Sequence, residues 1–253
     1  MDRKKRLLIS FSSCVAIIII WEIVSVALGA SVILPSPFEV ASSVLKLFAS
    51  PVFLKNVGAT VLRAVFSFLI IFFSGAVAGT VAGLRPTVDA VLSPFITLLK
   101  ATPVMSVILL AFIWFSTGAV PVFAAFLMAF PVMYVQVMNG THHLDGKLLQ
   151  MCRVYGITGR KYLSNFVIPS LVPSYVTGAK QSLSMIWKVV IAAEVLTVPQ
   201  SGIGRSLQLA QVRLDTASVF AWTIIAVVLT FAGDFIFSVI TKKKLSGRYC
   251  VEA

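Results

Sequence analysis

The chain has 253 residues, of which 58% are hydrophobic and only 12% are charged. Its mean hydropathy of +0.99 lies far outside the range of soluble domains, which excludes a water-soluble enzyme or binding module and predicts an all-α membrane protein. The formal net charge of +12 would suit a nucleic-acid partner, but the cations flank apolar segments, where such charges set membrane topology instead.

Long apolar runs predict six membrane-spanning helices, because about 20 apolar residues cross a bilayer. They cover residues 7–28, 65–83, 104–115, 120–137, 183–198 and 217–240. The first run begins like a signal peptide, but it is longer than a signal core and contains Trp21 and Glu22, which favours a retained helix. The third run is too short to span unless its helix begins before Pro103, near Asp89, and bends at the proline.

The segment between the first two spans, residues 34–50, predicts an interfacial helix on the outer face of the membrane. Pro35 and Pro37 end the first helix, while Ser36 is suited to cap the next helix with Pro37 at its first position. The run that follows, as far as Phe48, is amphipathic and suits the membrane surface.

The cations are distributed unequally between the two sides of the predicted bundle. One side carries Arg3, Lys4, Lys5, Arg6, Arg85, Lys147, Arg153, Arg160, Lys161, Lys242, Lys243, Lys244 and Arg248, and the other carries Lys46, Lys55, Arg205 and Arg213. The positive-inside rule then predicts that residues 1–6, the loop at 141–170 and the tail at 241–253 are cytoplasmic. Anionic lipid is an expected partner of these basic segments.

The loop at residues 141–170, called the central loop below, is the most informative segment of the chain. Leu148, Cys152 and Tyr155 fall on one face of a predicted helix, Gly156 interrupts it, and Thr158 is suited to cap a second short helix. A helix–glycine–helix arrangement favours a surface on which a partner docks. A solvated connector between two spans is the alternative.

The central loop resembles the EAA loop of ABC-importer permeases, whose pattern is Glu-Ala-Ala, three residues, Gly, nine residues, then Ile-x-Leu-Pro. Gly156 and Pro169 match the glycine and the proline of that pattern at the same spacing, whereas Gln150, Met151 and Cys152 replace Glu-Ala-Ala. Because Gln150 is neutral, any ion pair made by the family's glutamate is absent here.

Further matches follow in the same order as in one branch of these permeases, which imports sulfonates, taurine, nitrate and thiamine-precursor pyrimidines. They are residues 34–37 (LPSP), 60–63 (TVLR), Thr102-Pro103 followed by 112–115 (FIWF) and Gly118, and Ala193-Glu194 followed by 202–204 (GIG). The resemblance implies the fold of a type I ABC importer permease: six transmembrane helices and a coupling loop in a single domain over residues 1–253, with the permease core at 57–240.

The resemblance also implies the partners of the chain. They are two ABC ATPase subunits that bind ATP and Mg, a second permease copy (as a homodimer, or a homologous permease in its place) and an extracytoplasmic solute-binding protein. The chain itself contains no GxxxxGK[ST] loop and no catalytic motif, which predicts a non-catalytic subunit without its own cofactor. The adjacent His142 and His143 diverge on a helix and do not predict a metal site.

The alternative is a self-sufficient secondary transporter or an intramembrane enzyme. Such a protein should show internal inverted repeats or intramembrane acids that converge on one site, and the sequence shows neither.

Two groups of site residues are expected. The contacts to the ATPase implied by the resemblance are Leu149, Gln150, Cys152, Arg153, Tyr155, Gly156, Arg160, Tyr162 and Pro169. The candidates for the translocation pathway are Lys188, with Trp187 and Met185 beside it, and Glu194. Lys188 would favour an anionic or heteroaromatic solute; otherwise it neutralises Asp234 or another acid, or extends its amine to an interface.

Two further alternatives stay open from the sequence. Glu194 is a pathway residue or a structural anchor for the loop at residues 202–204. The small residues Gly75, Gly79 and Gly83 permit close helix packing, either within the subunit or between two copies.

Overall fold

The computed structural model describes residues 3–144, 146–157 and 159–245, and within these ranges the chain is helical and has no strand. The helices are α1 (Arg3–Leu28), α2 (Pro37–Phe48), α3 (Pro51–Leu84), α4 (Pro86–Ala101), α5 (Val104–Trp114), α6 (Val120–His142), α7 (Gly146–Val154), α8 (Gly159–Tyr162), α9 (Ile168–Thr197), α10 (Ile203–Val212) and α11 (Thr216–Leu245). A π-helical turn, Leu163–Val167, joins α8 to α9. The all-α class predicted from composition is confirmed.

Some of the predicted spans are evident in the structure. Three helices of the described ranges are long and apolar enough to cross a membrane, namely Pro51–Leu84, Val120–His142 and Thr216–Lys242, and α4 with α5 together form a possible fourth span. Residues 15–28 of α1 form a shorter apolar helix. The 30 residues of α9 are long enough, but Lys180, Lys188 and Glu194 lie within this helix. The total of six spans stays a prediction.

The third predicted span begins before Pro103 and changes direction at the proline, as expected, but it consists of two helices. Its first helix begins at Pro86, close to Asp89, and α4 and α5 meet at 102°. The break consists of Thr102 (ψ 127°) and Pro103 (ψ 132°), which are both extended. Two consecutive extended residues end the helix instead of bending it, and Pro103 has no N–H with which to continue the ladder. The chain therefore turns nearly at right angles here.

The core of the bundle is formed where α3, α6 and α9 pack together. The small residues of α3 face α6: a Cβ atom at Gly75 would lie 2.6 Å from Cγ of Met133, and one at Gly79 would lie 2.7 Å from the carbonyl oxygen of Tyr134. A Cβ atom at Gly83 would overlap the side chain of Thr141. The glycine stripe therefore serves close packing within the subunit, the first of the two alternatives.

The start of α2 confirms the predicted cap. The backbone N–H of Glu39 donates to Oγ of Ser36 over 3.2 Å, and the backbone N–H of Ser36 donates to Oε2 of Glu39 over 3.0 Å. Pro37 occupies the first turn of the helix. This reciprocal pair is a capping box, so a local sequence signal determines where α2 begins.

The bundle has two distinct ends. The start of α3 meets α10 at one end, where the amide nitrogen of Asn56 donates to Oγ of Ser206 over 2.8 Å. Gly83 lies against Thr141 at the other end, close to α7 and the start of α9. We call these the α10 end and the α7 end. The central loop lies at the α7 end, because it connects α6 to α9 there.

Candidate functional site

The central loop folds as two short helices separated by a glycine turn. The N–H of Ile157 donates to the carbonyl oxygen of Cys152 over 2.9 Å, and Gly156 has a φ of +64°. A 6→1 hydrogen bond over a left-handed glycine is the Schellman arrangement that ends α7 at Val154. The turn requires a residue that tolerates positive φ, and glycine does so without strain.

The apolar residues of α7 and of the turn that follows it differ strongly in exposure. Cys152 is buried, with only 3% of its surface exposed, whereas Tyr155 is 75% exposed and Val154 is 83% exposed. Cys152 and Tyr155, which the periodicity places on one face, thus differ in exposure, and the side chain of Leu148 lies outside the described residues. Cys152 therefore packs inside the protein instead of offering its side chain to a partner.

The other residues predicted to contact the ATPase lie on both sides of the turn. Gln150 and Arg160 are exposed, while Pro169 is half-buried. Tyr162 is half-buried, and its ring centroid lies 5.7 Å from that of Phe166. The side chains of Leu149 and Arg153 and the predicted cap at Thr158 lie outside the described residues.

A network of polar groups around Glu194 occupies the α10 end. Glu194 is completely buried and lies near the end of α9. Its Oε1 accepts from Nη1 of Arg63 over 2.6 Å, and its Oε2 accepts from the hydroxyl of Thr60 over 2.8 Å and from the N–H of Gly204 over 3.0 Å. In the part of the chain that the structure describes, the contact between Arg63 and Glu194 is the one ion pair closer than 4.0 Å.

The partners of Glu194 come from one face of α3. Asn56, Thr60 and Arg63 are spaced i, i+4 and i+7, which places them on the same side of a helix. The Asn56 side-chain oxygen accepts from the N–H of Gly202 over 3.2 Å, and the Thr60 oxygen accepts from the N–H of Ile203 over 2.9 Å. Thr60 and Arg63 belong to the 60–63 match noted in the sequence, but their contact with Glu194 was not predicted, although three polar residues at helical spacing in an apolar helix were a usable signal.

Arg63 extends the network to two loops. It donates to the carbonyl oxygen of Ser201 over 2.8 Å and to that of Gly118 over 3.3 Å. We use the name Glu194 network for Asn56, Thr60, Arg63, Glu194 and the backbone at 201–204. It fastens the loop before α10 and the loop before α6 to α3, so these elements form one rigid unit at this end.

The loop at residues 202–204 needs its two glycines in order to approach Glu194. Gly202 has a φ of 153°, and a Cβ atom there would lie 2.5 Å from Oε2 of Glu194. A Cβ atom at Gly204 would overlap the carbonyl oxygen of Ile191. The hydrogen bond from Gly204 to Glu194 is the contact that the anchor interpretation of Glu194 requires.

A cleft of about 440 Å³ lies between α9, α10 and α11. Lys188 and Asp234 line it, together with Ser184, Ile191, Leu207, Thr223, Ala226, Val227, Thr230 and Phe231. We call it the Lys188 cleft. Its lining combines one cation, one anion and three hydroxyl groups with apolar side chains.

The four predicted pathway residues occupy different environments. Lys188 is exposed in its cleft, whereas Trp187 is 4% exposed and packs in the core of the bundle. A Cβ atom at Gly233 would lie 2.8 Å from the indole nitrogen of Trp187, so this ring lies directly on α11. Met185 packs against the same core, and Glu194 belongs to its own network. Successive positions on a helix point about 100° apart, which separates these neighbours in sequence.

The family is decided by comparison with known proteins. A family model described as "Binding-protein-dependent transport system inner membrane component" matches residues 72–245. The chain belongs to this family. The matched range begins within α3 and includes the central loop, the Lys188 cleft and Glu194, whereas Asn56, Thr60 and Arg63 of the Glu194 network precede it.

Named relatives of the permease cover most of its length. An SsuC of Bacillus subtilis, provisionally named as an aliphatic sulfonates transport permease protein, is 26% identical over 238 residues, which are 93% of this chain and 86% of the relative. The taurine transport system permease protein TauC of Escherichia coli is 23% identical over 217 residues, or 83% and 78% of the two chains. The nitrate import permease protein NrtB of Synechococcus elongatus is 26% identical over 198 residues, or 73% and 70%.

These comparisons confirm the resemblance stated from the sequence. The permease is an integral component of the inner membrane in an ABC-importer family with sulfonate, taurine and nitrate relatives, and it is a non-catalytic transport subunit. The alternative of an intramembrane enzyme is thereby removed.

Proposed function

We propose that this permease forms half of the translocation pathway of an ATP-driven importer for a small solute delivered by an extracytoplasmic binding protein. A second copy completes the pathway as a homodimer, and two ATPase subunits, which bind ATP and Mg, dock below it. Both termini and the central loop face the cytoplasm. Closure of the ATPases moves the central loops and opens the cavity outward, and hydrolysis returns it inward.

The observation that carries this proposal is the exposed apolar surface at the turn of the central loop. Val154 and Tyr155 project their side chains almost fully from the protein beside a glycine turn. An exposed aromatic residue in a loop, outside the apolar spans, is typical of a protein–protein contact. The ATPase is the partner that the family supplies on this side.

The path from the central loop to the interior supports the proposed coupling. Residues 159–197 are helical throughout, from α8 through the π-helical turn into α9. Val167 and Leu171 are buried near the start of this path, and Lys188 lies farther along it. A continuous helix transmits a displacement at one end to side chains at the other, because a rigid element moves as a body.

The relatives and Lys188 both support the proposed solute class. The relatives are named for sulfonates, taurine and nitrate, which are small anionic or acidic solutes. Lys188 provides a cation within the apolar part of α9. We therefore assign the permease a sulfonate, taurine or nitrate type of solute, and a heteroaromatic pyrimidine type is the alternative.

The test replaces the exposed aromatic residue of the central loop. Tyr155→Ser should reduce co-purification of the cognate ATPase at least about 10-fold, because a central aromatic contact commonly contributes 2 kcal/mol or more. Folding should be unaffected, because the side chain is 75% exposed. Phe38→Ser is the matched control: Phe38 is 81% exposed on α2, away from the central loop, and its loss should leave ATPase binding unchanged.

A second pair of variants separates the turn from the side chain. Gly156→Val forces a β-branched residue to the φ of +64° and should also impair ATPase coupling, whereas Gly156→Asn tolerates that conformation and should retain it. Parental ATPase binding and uptake in both Tyr155→Ser and Gly156→Val would refute the proposed docking site.

A further inference from the structure

The Lys188 cleft holds two opposite charges that lie far from the ends of their helices. Lys188 lies nine residues before Thr197, the last residue of α9, which is roughly 13 Å at 1.5 Å per residue. Asp234 lies eleven residues before Leu245, the last residue of α11, or roughly 16 Å. Charges at such depth are costly against lipid and are normally turned towards protein or an aqueous path. Their depth therefore favours a cleft that faces protein or water over one that faces lipid.

The two charges do not neutralise each other. Among the described residues, only Arg63 and Glu194 form an ion pair closer than 4.0 Å. Lys188 and Asp234 therefore do not form one with each other. The Oδ1 atom of Asp234 is buried and has no hydrogen-bond partner in the described part of the chain. A buried carboxylate oxygen requires a donor. The cleft is thus lined by an exposed ammonium group and by a carboxylate group that has no ion-pair partner among the described residues.

The combination of Lys188 and Asp234 in one cleft favours a ligand that carries both charges. An anion alone would satisfy Lys188 but would leave the carboxylate unpaired, and the lining carries no net charge that would attract a simple anion. A solute with an ammonium group and an acidic group satisfies both ends. The hydroxyls of Thr223 and Thr230 offer further polar contacts, while Ile191, Leu207 and Phe231 provide apolar surface for a short carbon chain.

We propose that the Lys188 cleft binds a small zwitterion, with its acidic group on Lys188 and its ammonium group on Asp234. The volume of about 440 Å³ is within the range of small-molecule sites. This inference rests on the proposed transport function, which it narrows from small acids in general to amino acids or aminosulfonates. It also makes Asp234 a specificity-determining residue.

The experiment measures binding to the full-length permease in lipid nanodiscs, without the ATPase or the binding protein. The probes are 3-aminopropanesulfonate and propanesulfonate, which differ in the ammonium group. The zwitterion should bind the parental protein about 10-fold or more tightly than propanesulfonate, as expected for one charge-assisted hydrogen bond.

Two substitutions and one control assign the ends of the ligand. Asp234→Asn should remove this preference and leave propanesulfonate binding unchanged, which also shows that the variant is folded. Lys188→Met should weaken both probes. Asp215→Asn, which makes the same change at an exposed residue that caps the start of α11, should have no effect.

Three results would overturn the proposal: equal affinity of the parental protein for both probes, no binding of either probe, or a preference that persists in Asp234→Asn. The last result would mean that a group other than Asp234 recognises the ammonium group. None of these results bears on whether the ATPase docks at Tyr155, so the failure of the zwitterion site and the failure of the transport proposal are distinguishable.

Discussion

Replacement of Glu194 by glutamine is the sharpest test of the Glu194 network. Both carboxylate oxygens accept from N–H donors, Oε1 from Arg63 and Oε2 from Gly204. Whichever way the new amide is oriented, its NH₂ group faces one of these donors. The substitution also leaves the guanidinium of Arg63 without its carboxylate. Removing one partner of a buried ion pair commonly costs about 3–5 kcal/mol, and we expect the free energy of unfolding to fall by that amount.

The assay is unfolding of the purified permease in mixed micelles as the proportion of SDS is raised, followed by circular dichroism. Glu39→Gln is the control, because Glu39 is exposed and glutamine also completes a capping box; it should change stability by less than about 0.5 kcal/mol. Adding Arg63→Met to Glu194→Gln should cost less than the sum of the two single changes, because the residues interact directly. A Glu194→Gln protein as stable as Glu39→Gln would refute the assigned role of the network.

Two further predictions concern packing and topology. Gly79→Ala should destabilise the permease by about 1–3 kcal/mol in the same assay, because its Cβ atom would meet the backbone of α6. Gly58→Ala is the control in the same helix: its Cβ atom meets nothing within 4 Å, so it should be neutral or stabilising. Equal effects of the two substitutions would contradict the packing of α3 on α6. In a background without native cysteines, a cysteine introduced at Gly146 should resist an impermeant thiol reagent in intact cells, and one introduced at Ser201 should react. Labelling at Gly146 from outside would exclude a cytoplasmic central loop.

The sequence alone determined the features that depend on neighbouring residues. The capping box of α2 joins Ser36 to a residue three positions away, and the turn after α7 depends on Gly156 and the hydrogen bond from Ile157 to Cys152. The break before α5 follows from Pro103 and the residue that precedes it. Caps, turns and breaks of this kind involve residues within one or two turns of the chain, so their signals survive in a sequence pattern. Composition likewise predicted the helical membrane class. Few structures can satisfy the hydrogen bonds of every backbone N–H and C=O group within a bilayer, and the helix is one of them.

The tertiary structure decided how the helices are rotated and which distant residues meet. The ion pair of Arg63 with Glu194 joins positions 131 residues apart, and no local pattern specifies that pairing. Trp187 and Lys188 are adjacent in sequence, yet one is buried in the core and the other lines the cleft, because a rotation of about 100° separates their directions. The position of Asp234 opposite Lys188 depends in turn on how α11 packs beside α9. These relations arise from the packing of whole helices, and an apolar sequence with few charges leaves many such packings equally open until the side chains interlock.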